Sequence, residues 1–326
     1  MKIIKTISRK LLFTLASLSF CLMCSGIKKP IIPYQVGEYV PIYSPSSDTF
    51  PGPDTYYLKT GQWYRNWVAN DHSFIKGKEG RWHLIGITHP LTPLTRVHDG
   101  EHQLFHAVSK KGRLKALLIK NSWKDQAKLL PPSERPGEML PGNSPYIVKK
   151  DDLYYMIYGP GSIRYAVSED LYHWFPKGSL FVEPKGARDP NVLLFDGFYY
   201  LSYCSENKVL MRTSDDLSHW SKAKVIYEAK TFEPESPVLI YRKGSFYLFV
   251  CAWDKKIRNT KIQNAYQHKT YVYTSDSLDK KFEVDECLGI LNAHAPEIIQ
   301  DEVGDWYMSS VEYPYRGVSV CKIDWK

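Results

Sequence analysis

Apolar and aromatic residues in this chain cluster in short runs, each opened by a glycine or aspartate turn. The runs are Arg81-Trp82-His83-Leu84-Ile85, Leu153-Tyr154-Tyr155-Met156-Ile157, Phe198-Tyr199-Tyr200-Leu201-Ser202, Ser245-Phe246-Tyr247-Leu248-Phe249 and Asp305-Trp306-Tyr307-Met308-Ser309. Their length and their aromatic and β-branched content predict strands. A second element follows most of them: Ser168-Glu169-Asp170-Leu171-Tyr172-His173-Trp174, then Ser214-Asp215-Asp216-Leu217-Ser218-His219-Trp220, then Ser275-Asp276-Ser277-Leu278. Ser168 and Ser214 are 46 positions apart, and Ser214 and Ser275 are 61 apart, the excess falling in the charged insert 254–268. Periods of this size with strand–turn–strand content are the signature of propeller blades, which bury their faces only by stacking on neighbours. Helical periodicity is scarce, Lys110 to Lys120 being the one fair stretch. The prediction is an all-β, five-bladed β-propeller over residues 63–326. A β-sandwich would not explain five matched copies.

Ahead of the repeat, residues 27–62 are rich in Pro, Ser, Gly and Tyr and read as an extended lead-in. Residues 1–26 read as a targeting segment: Lys2, Lys5, Arg9 and Lys10 precede an apolar core, Leu11 to Met23, too short to span a bilayer. Cys24, followed by Ser25-Gly26, is the position for a lipid anchor, although Met23 before it is not a small residue; the other reading is a cleaved secretory signal. Either predicts an exported protein, in the periplasm or at the cell surface. The sequence is 14% aromatic with 24 Tyr and 9 Trp, which suits both an all-β fold and stacking on sugars. The net charge of +8 is scattered, and the one dense basic stretch (Lys110, Lys111, Arg113, Lys115, Lys120) has little aromatic interleaving, so no nucleic-acid partner is expected. Cys204, Cys251, Cys287 and Cys321 are too widely spaced for a zinc pattern, and Cys204 and Cys251 read as buried free thiols.

The chemistry is concentrated where blades begin. In a propeller the first strand of each blade lines the central channel, so residues there converge. Asp71 precedes the Trp82 run by 11 positions, Asp189 precedes Phe198 by 9, and Glu235 precedes Phe246 by 11. Three carboxylates from blades 1, 3 and 4 would therefore meet. Arg188-Asp189-Pro190 alone would pass for a surface turn; its place in the repeat gives it meaning. Proline disfavours helix at Asp189, and Arg188 favours the ionised acid. Glycoside cleavage needs such a set, with one acid to protonate the leaving oxygen and one carboxylate to attack or to activate water.

Asn70-Asp71, Arg188-Asp189-Pro190 and Glu235-Ser236-Pro237, in this order, resemble the motifs of the five-bladed propeller glycoside hydrolases of family 43 and the related families 32, 68 and 117. The resemblance covers about residues 63–325. It implies that Asp71 is general base or nucleophile, that Asp189 orients or tunes the acid or stabilises the transition state, that Glu235 is the general acid, and that Arg188 holds a sugar hydroxyl or Asp189. Asn70-Asp71-His72-Ser73 departs from the family 32 pattern, which argues against a fructan substrate. Further candidates for substrate binding are His72, His106, Asn143, His294 and Glu297, with Glu233 the rival of Glu235. The resemblance also implies a structural calcium that His294 would ligate through water; no other cofactor is expected. The implied function is an exported hydrolase of a plant or algal glycan. The competing reading is a propeller that binds carbohydrate without turning it over.

Overall fold

The middle strands of the repeat are apolar on both faces because each blade is sandwiched between two others. In Ser245–Trp253 every residue after the first is buried, and the same holds for Arg81–Pro90. Such runs read as continuous rather than alternating hydrophobicity. The structure, a computed structural model, describes residues 29–53, 58–92, 100–253 and 266–326. The targeting segment and most of the 254–268 insert lie outside the described residues.

The first strand, β1 (Pro33–Tyr43), is followed by a two-residue ladder, β2 (Asp48–Thr49) with β3 (Trp63–Tyr64). Blade I is β4 (Trp67–Lys76), β5 (Arg81–Pro90), β6 (Gln103–Lys111) and β7 (Trp123–Asp125). Between β6 and β7 the predicted helical stretch contracts to one turn, α1 (Leu114–Leu117). Blade II is β8 (Asn143–Lys150), β9 (Leu153–Gly159), β10 (Gly161–Ser168) and the first part of β11 (Phe175–Phe195). Beyond Ala187, β11 passes into blade III as its inner strand, pairing from Arg188 onward with β12 (Phe198–Ser205), followed by β13 (Lys208–Ser214) and β14 (Lys224–Glu228). Blade IV is β15 (Glu233–Arg242), β16 (Ser245–Trp253), β17 (Tyr266–Ser275) and β18 (Gly289–Leu291). Blade V is β19 (Ile298–Gln300), β20 (Trp306–Val311) and β21 (Val318–Trp325), completed on its outer edge by β1.

That last pairing corrects the extended lead-in. Pro33 to Tyr43 form the outer strand of blade V, antiparallel to β21 with Pro33 opposite Trp325 and Tyr43 opposite Val318. The five blades close through five separate apolar seams. Leu104 and Met156 meet at the seam of blades I and II, Ile163 and Leu201 at II and III, Val209 and Leu248 at III and IV, Phe249 and Met308 at IV and V, and Val320 and Phe105 at V and I. Cys204, Cys251 and Cys321 are buried free thiols within this packing, and Cys287 is exposed.

Candidate active site

Each of the first four inner strands carries a break in register near its start. The pairing skips between Ala69 and His72, Asn143 and Tyr146, Arg188 and Asn191, and Glu235 and Val238. These are bulges, which bend a strand and re-aim side chains. In blades II to V the same position holds a left-handed residue followed by proline: Ser144 (φ 51°), Asp189 (φ 56°), Ser236 (φ 44°) and Ala295 (φ 43°). Non-glycine residues seldom adopt this conformation, and proline next door forgoes the backbone donor that a ladder would need. The prolines fix the correspondence among blades II to V: Ser144, Asp189, Ser236 and Ala295 are equivalent, and the residues before them are Asn143, Arg188, Glu235 and His294. Glu235 therefore stands one position earlier than Asp189, and in β4 the break spans Asn70 and Asp71, with Asp71 where the other blades have proline.

The bulges meet at the axis. Ser144 Oγ donates to Asp189 Oδ1 at 2.8 Å and lies 3.1 Å from Asp71 Oδ2. Ser236 Oγ donates to Asp71 Oδ1, and the Ser236 backbone N–H donates to Asp189 Oδ2 at 3.2 Å. Two carboxylates and two serines thus form one closed ring. Burial, and then the charge of Asp189, push the Asp71 carboxyl up to about 7, while the two serine hydroxyls pull it down.

Beside the ring is a cleft of about 210 Å³ whose described lining includes Asp71, Glu101, Asp189, Glu233 and Glu235 with one cation, Arg188. Arg188 Nη2 donates to Glu233 Oε1 at 2.8 Å, while Nε is 3.5 Å from Asp189 Oδ2 and 3.9 Å from Glu235 Oε1. The guanidinium is thus shared by three acids and pairs most closely with Glu233. Asn143 is in this cleft too, its Nδ2 donating to Glu101 Oε2 at 3.0 Å. Trp253, Ile87 and Pro160 provide apolar wall.

The ring also borders a smaller cavity of about 20 Å³ that reaches Glu297 and His72. Burial raises the Glu297 carboxyl well above its ordinary value, with Asp71 adding to the effect. His72 Nε2 meets Ser309 Oγ at 2.7 Å, and burial lowers the ring to about 3, so it is neutral. Its strand partner Gly86 leaves room for it; a Cβ there would come within 2.6 Å of the His72 Cβ.

The structure therefore brings Asp71, Asp189, Glu235, Arg188 and Asn143 to the cleft, and seats His72 and Glu297 at the smaller cavity. Two candidates are elsewhere. His106 lines neither cavity; its Nε2 is 2.9 Å from His83 Nδ1, and both rings pack edge-on to Tyr172 in the seam of blades I and II. His294 also lines neither, its Nδ1 lying 3.8 Å from Cys251 Sγ. No group of three or more His, Cys, Asp or Glu placed to hold a metal occurs among the described residues. Sequence reading missed Glu101, which carries no motif, and Ser144 and Ser236, whose signal was the repeated proline after them.

Residues 182–324 match the family model described as Glycosyl hydrolases family 43. Arabinan endo-1,5-α-L-arabinosidase A of Aspergillus niger is 25% identical over 185 residues, covering 50% of this chain and 57% of that protein. The matched stretch thus spans little more than half of that relative. Among solved structures, an exo-1,5-α-L-arabinanase from a bovine ruminal metagenomic library superposes with a TM-score of 0.57 at 16% identity, covering 78% of this chain and 92% of its own. A family 43 enzyme of Xanthomonas citri complexed with xylotriose gives 0.58 at 14%, covering 78% and 86%. A family 32 β-fructofuranosidase of Bombyx mori gives 0.56 at 20%, covering 78% and 59%. At these identities the likeness is one of fold, and the shared fold is the five-bladed propeller.

Proposed function

We propose that this family 43-type glycoside hydrolase, a five-bladed propeller, cleaves pentose linkages in plant polysaccharide, arabinosyl linkages first among them. The observation that carries the reading is the cleft itself, which holds a ring-bound aspartate carboxyl raised toward neutrality, Glu235 and a guanidinium. Asp71 is the base. Both its oxygens already have a serine hydroxyl beside them, which favours taking a proton from water over attacking carbon. A carboxyl near 7 is well matched to that task. Glu235 is the acid that protonates the leaving oxygen, Asp189 faces the developing positive charge, and Arg188 holds a sugar hydroxyl. This arrangement predicts inversion at the anomeric carbon. The arabinosidase and xylotriose-bound relatives supply the choice of pentose. Residues 1–26 would carry the enzyme out of the cytoplasm, with Cys24 as lipid anchor, and membrane fractionation of the wild type against Cys24→Ala tests that part.

The main test is hydrolysis of linear 1,5-arabinan, xylotriose and nitrophenyl α-L-arabinofuranoside, with the product anomer read by proton NMR. Turnover with inversion is expected. Asp71→Asn and Glu235→Gln should each lose roughly 10²- to 10⁴-fold in kcat while keeping the melting temperature. Unaltered turnover in either variant would overturn the assignment. Sugar binding without turnover in the wild type would leave a carbohydrate-binding propeller.

A further inference from the structure

The ring at the axis contains more than the proposed reaction uses. Asp71 and Asp189 come from blades I and III, whereas Ser144 and Ser236 come from II and IV, so acids and hydroxyls alternate around the channel. We propose that Ser144 and Ser236 are positioning residues that bind Asp71 and Asp189 into a single proton-sharing unit and keep Asp71 available as the base. The inference rests on the reading of Asp71 as the base.

The argument is one of counting hydrogens. Ser144 has one hydroxyl hydrogen and two carboxylate oxygens within reach, at 2.8 and 3.1 Å. With both acids ionised, one of those oxygens would face a lone pair of Ser144. With one proton on Asp71 Oδ2, every link is satisfied. Asp71 then donates to Ser144 Oγ, Ser144 donates to Asp189, and Ser236 donates to both acids, through its hydroxyl to Asp71 and through its backbone N–H to Asp189. The ring therefore favours one proton on the pair, and two close carboxylates titrate as a unit in such a case. When base catalysis delivers a proton to Asp71 Oδ2, Ser144 is placed to accept it while passing its own hydrogen to Asp189 Oδ1, which regenerates the Asp71 carboxylate. No atom or electron is gained or lost.

The left-handed conformation supports a positioning role. Ser144 and Ser236 are held at φ 51° and 44°, each followed by proline, and that geometry aims the hydroxyls at the axis. Facing Asp71 besides the ring are Arg188 on β11, Glu101 ahead of β6, Glu235 on β15, Glu297 ahead of β19, and the buried thiols of Cys204 and Cys251. On its own strand His72 is neutral. Burial, Asp189 and Glu101 raise the Asp71 carboxyl, and the serine hydroxyls are the groups that offset them.

The test is the pH profile of kcat/KM for Ser144→Ala, Ser236→Ala and Ser236→Gly. Ser236→Ala and Ser236→Gly remove a donor to Asp71, so its pKa rises and the base stays protonated to higher pH; Ser144→Ala removes the link through which the two acids share a proton, so they cease to titrate as a unit. In the Ser236 variants the acidic limb should move up by about one pH unit, with kcat at pH 6 falling about tenfold and KM within about twofold of wild type. Ser236→Gly suits the positive φ and gives the same readout if the alanine variant folds poorly. Ser73→Ala is the control, a buried serine that accepts the Ile147 N–H and touches neither acid; its limb should not move. The second readout needs no turnover: carbon-13 titration of the aspartate carboxyls should show one titrating near 7 in the wild type, displaced upward in the Ser236 variants and no longer coupled to its partner in Ser144→Ala. Unmoved limbs and unmoved carboxyl titrations overturn the proposal, as does a loss of kcat that tracks the melting temperature with the limb unchanged. A wild type that turns over no glycan but shows the displaced titration overturns the hydrolase reading and leaves the proton-sharing ring standing.

Discussion

Two sets of repeated positions can be laid side by side in this propeller. The outer turns of blades II and III repeat in both sequence and geometry. Ser168 accepts the Leu171 N–H at 2.8 Å and Ser214 accepts the Leu217 N–H at 2.9 Å; His173 meets Asp170 at 2.7 Å and His219 meets Asp216 at 2.6 Å. Trp174 and Trp220 donate to Leu171 O and Leu217 O at 3.0 and 3.1 Å, and both leucines sit at φ 70°. The inner bulges of blades II to V instead repeat the backbone and vary the side chain: Ser144, Asp189, Ser236, Ala295. Where the same local problem recurs, closing a turn, the same residues recur. Where the backbone is constant and the residues differ, the differences fall at one place, the axis, and each contributes a separate part to a single site.

This contrast can be broken at either set. The largest effect is expected at the bulges. Asp189→Asn should keep the melting temperature, because asparagine tolerates a left-handed conformation, yet lower kcat by about 10²-fold or more. A large fall in melting temperature would mean that the bulge acid is there for the fold. The buried histidines come next. Burial lowers His72 and His106 to about 3, below the unfolded value of 6.5, so the unfolded chain binds more protons between these limits. Their contribution is complete above 6.5 and is lost as pH falls toward 3, on the order of several kcal/mol in all by pH 4. Denaturant melts from pH 7 to pH 4 would register it, and a flat stability profile across that range would refute it. The smallest effect belongs to the outer turns. Asp170→Ala and Asp216→Ala should each cost about 1 kcal/mol, nearly equally, with kcat untouched. Unequal losses would show that the two turns are alike in geometry only.

The sequence displayed the blades clearly because their middle strands are buried on both faces and so carry long aromatic runs. The same burial hid the role of His106. In β6 every residue from Gln103 to Ser109 is buried, so pattern alone could not separate the side facing the channel from the side facing the next blade. β1 read as a lead-in because Gly37 and Pro41 interrupt it, which an edge strand tolerates and a central one does not. The three acids were legible from their spacing to the strand that follows. The offset of Glu235 was not, because a bulge changes the side-chain count without changing the apolar pattern. Ser144 and Ser236 looked like ordinary turn serines before proline until the structure turned them toward the acids.

The ring of blades is fastened where β1 lies against β21, the earliest described strand against the latest. A ribosome releases β1 long before its partner exists, so this pairing must wait until β21 has been made. Until Val318 to Trp325 are present, β1 has only an open edge to offer. Because the acids come from blades I, III and IV, on a circle that this seam completes, the chemistry at the axis becomes a gauge of whether the two margins of the propeller have met.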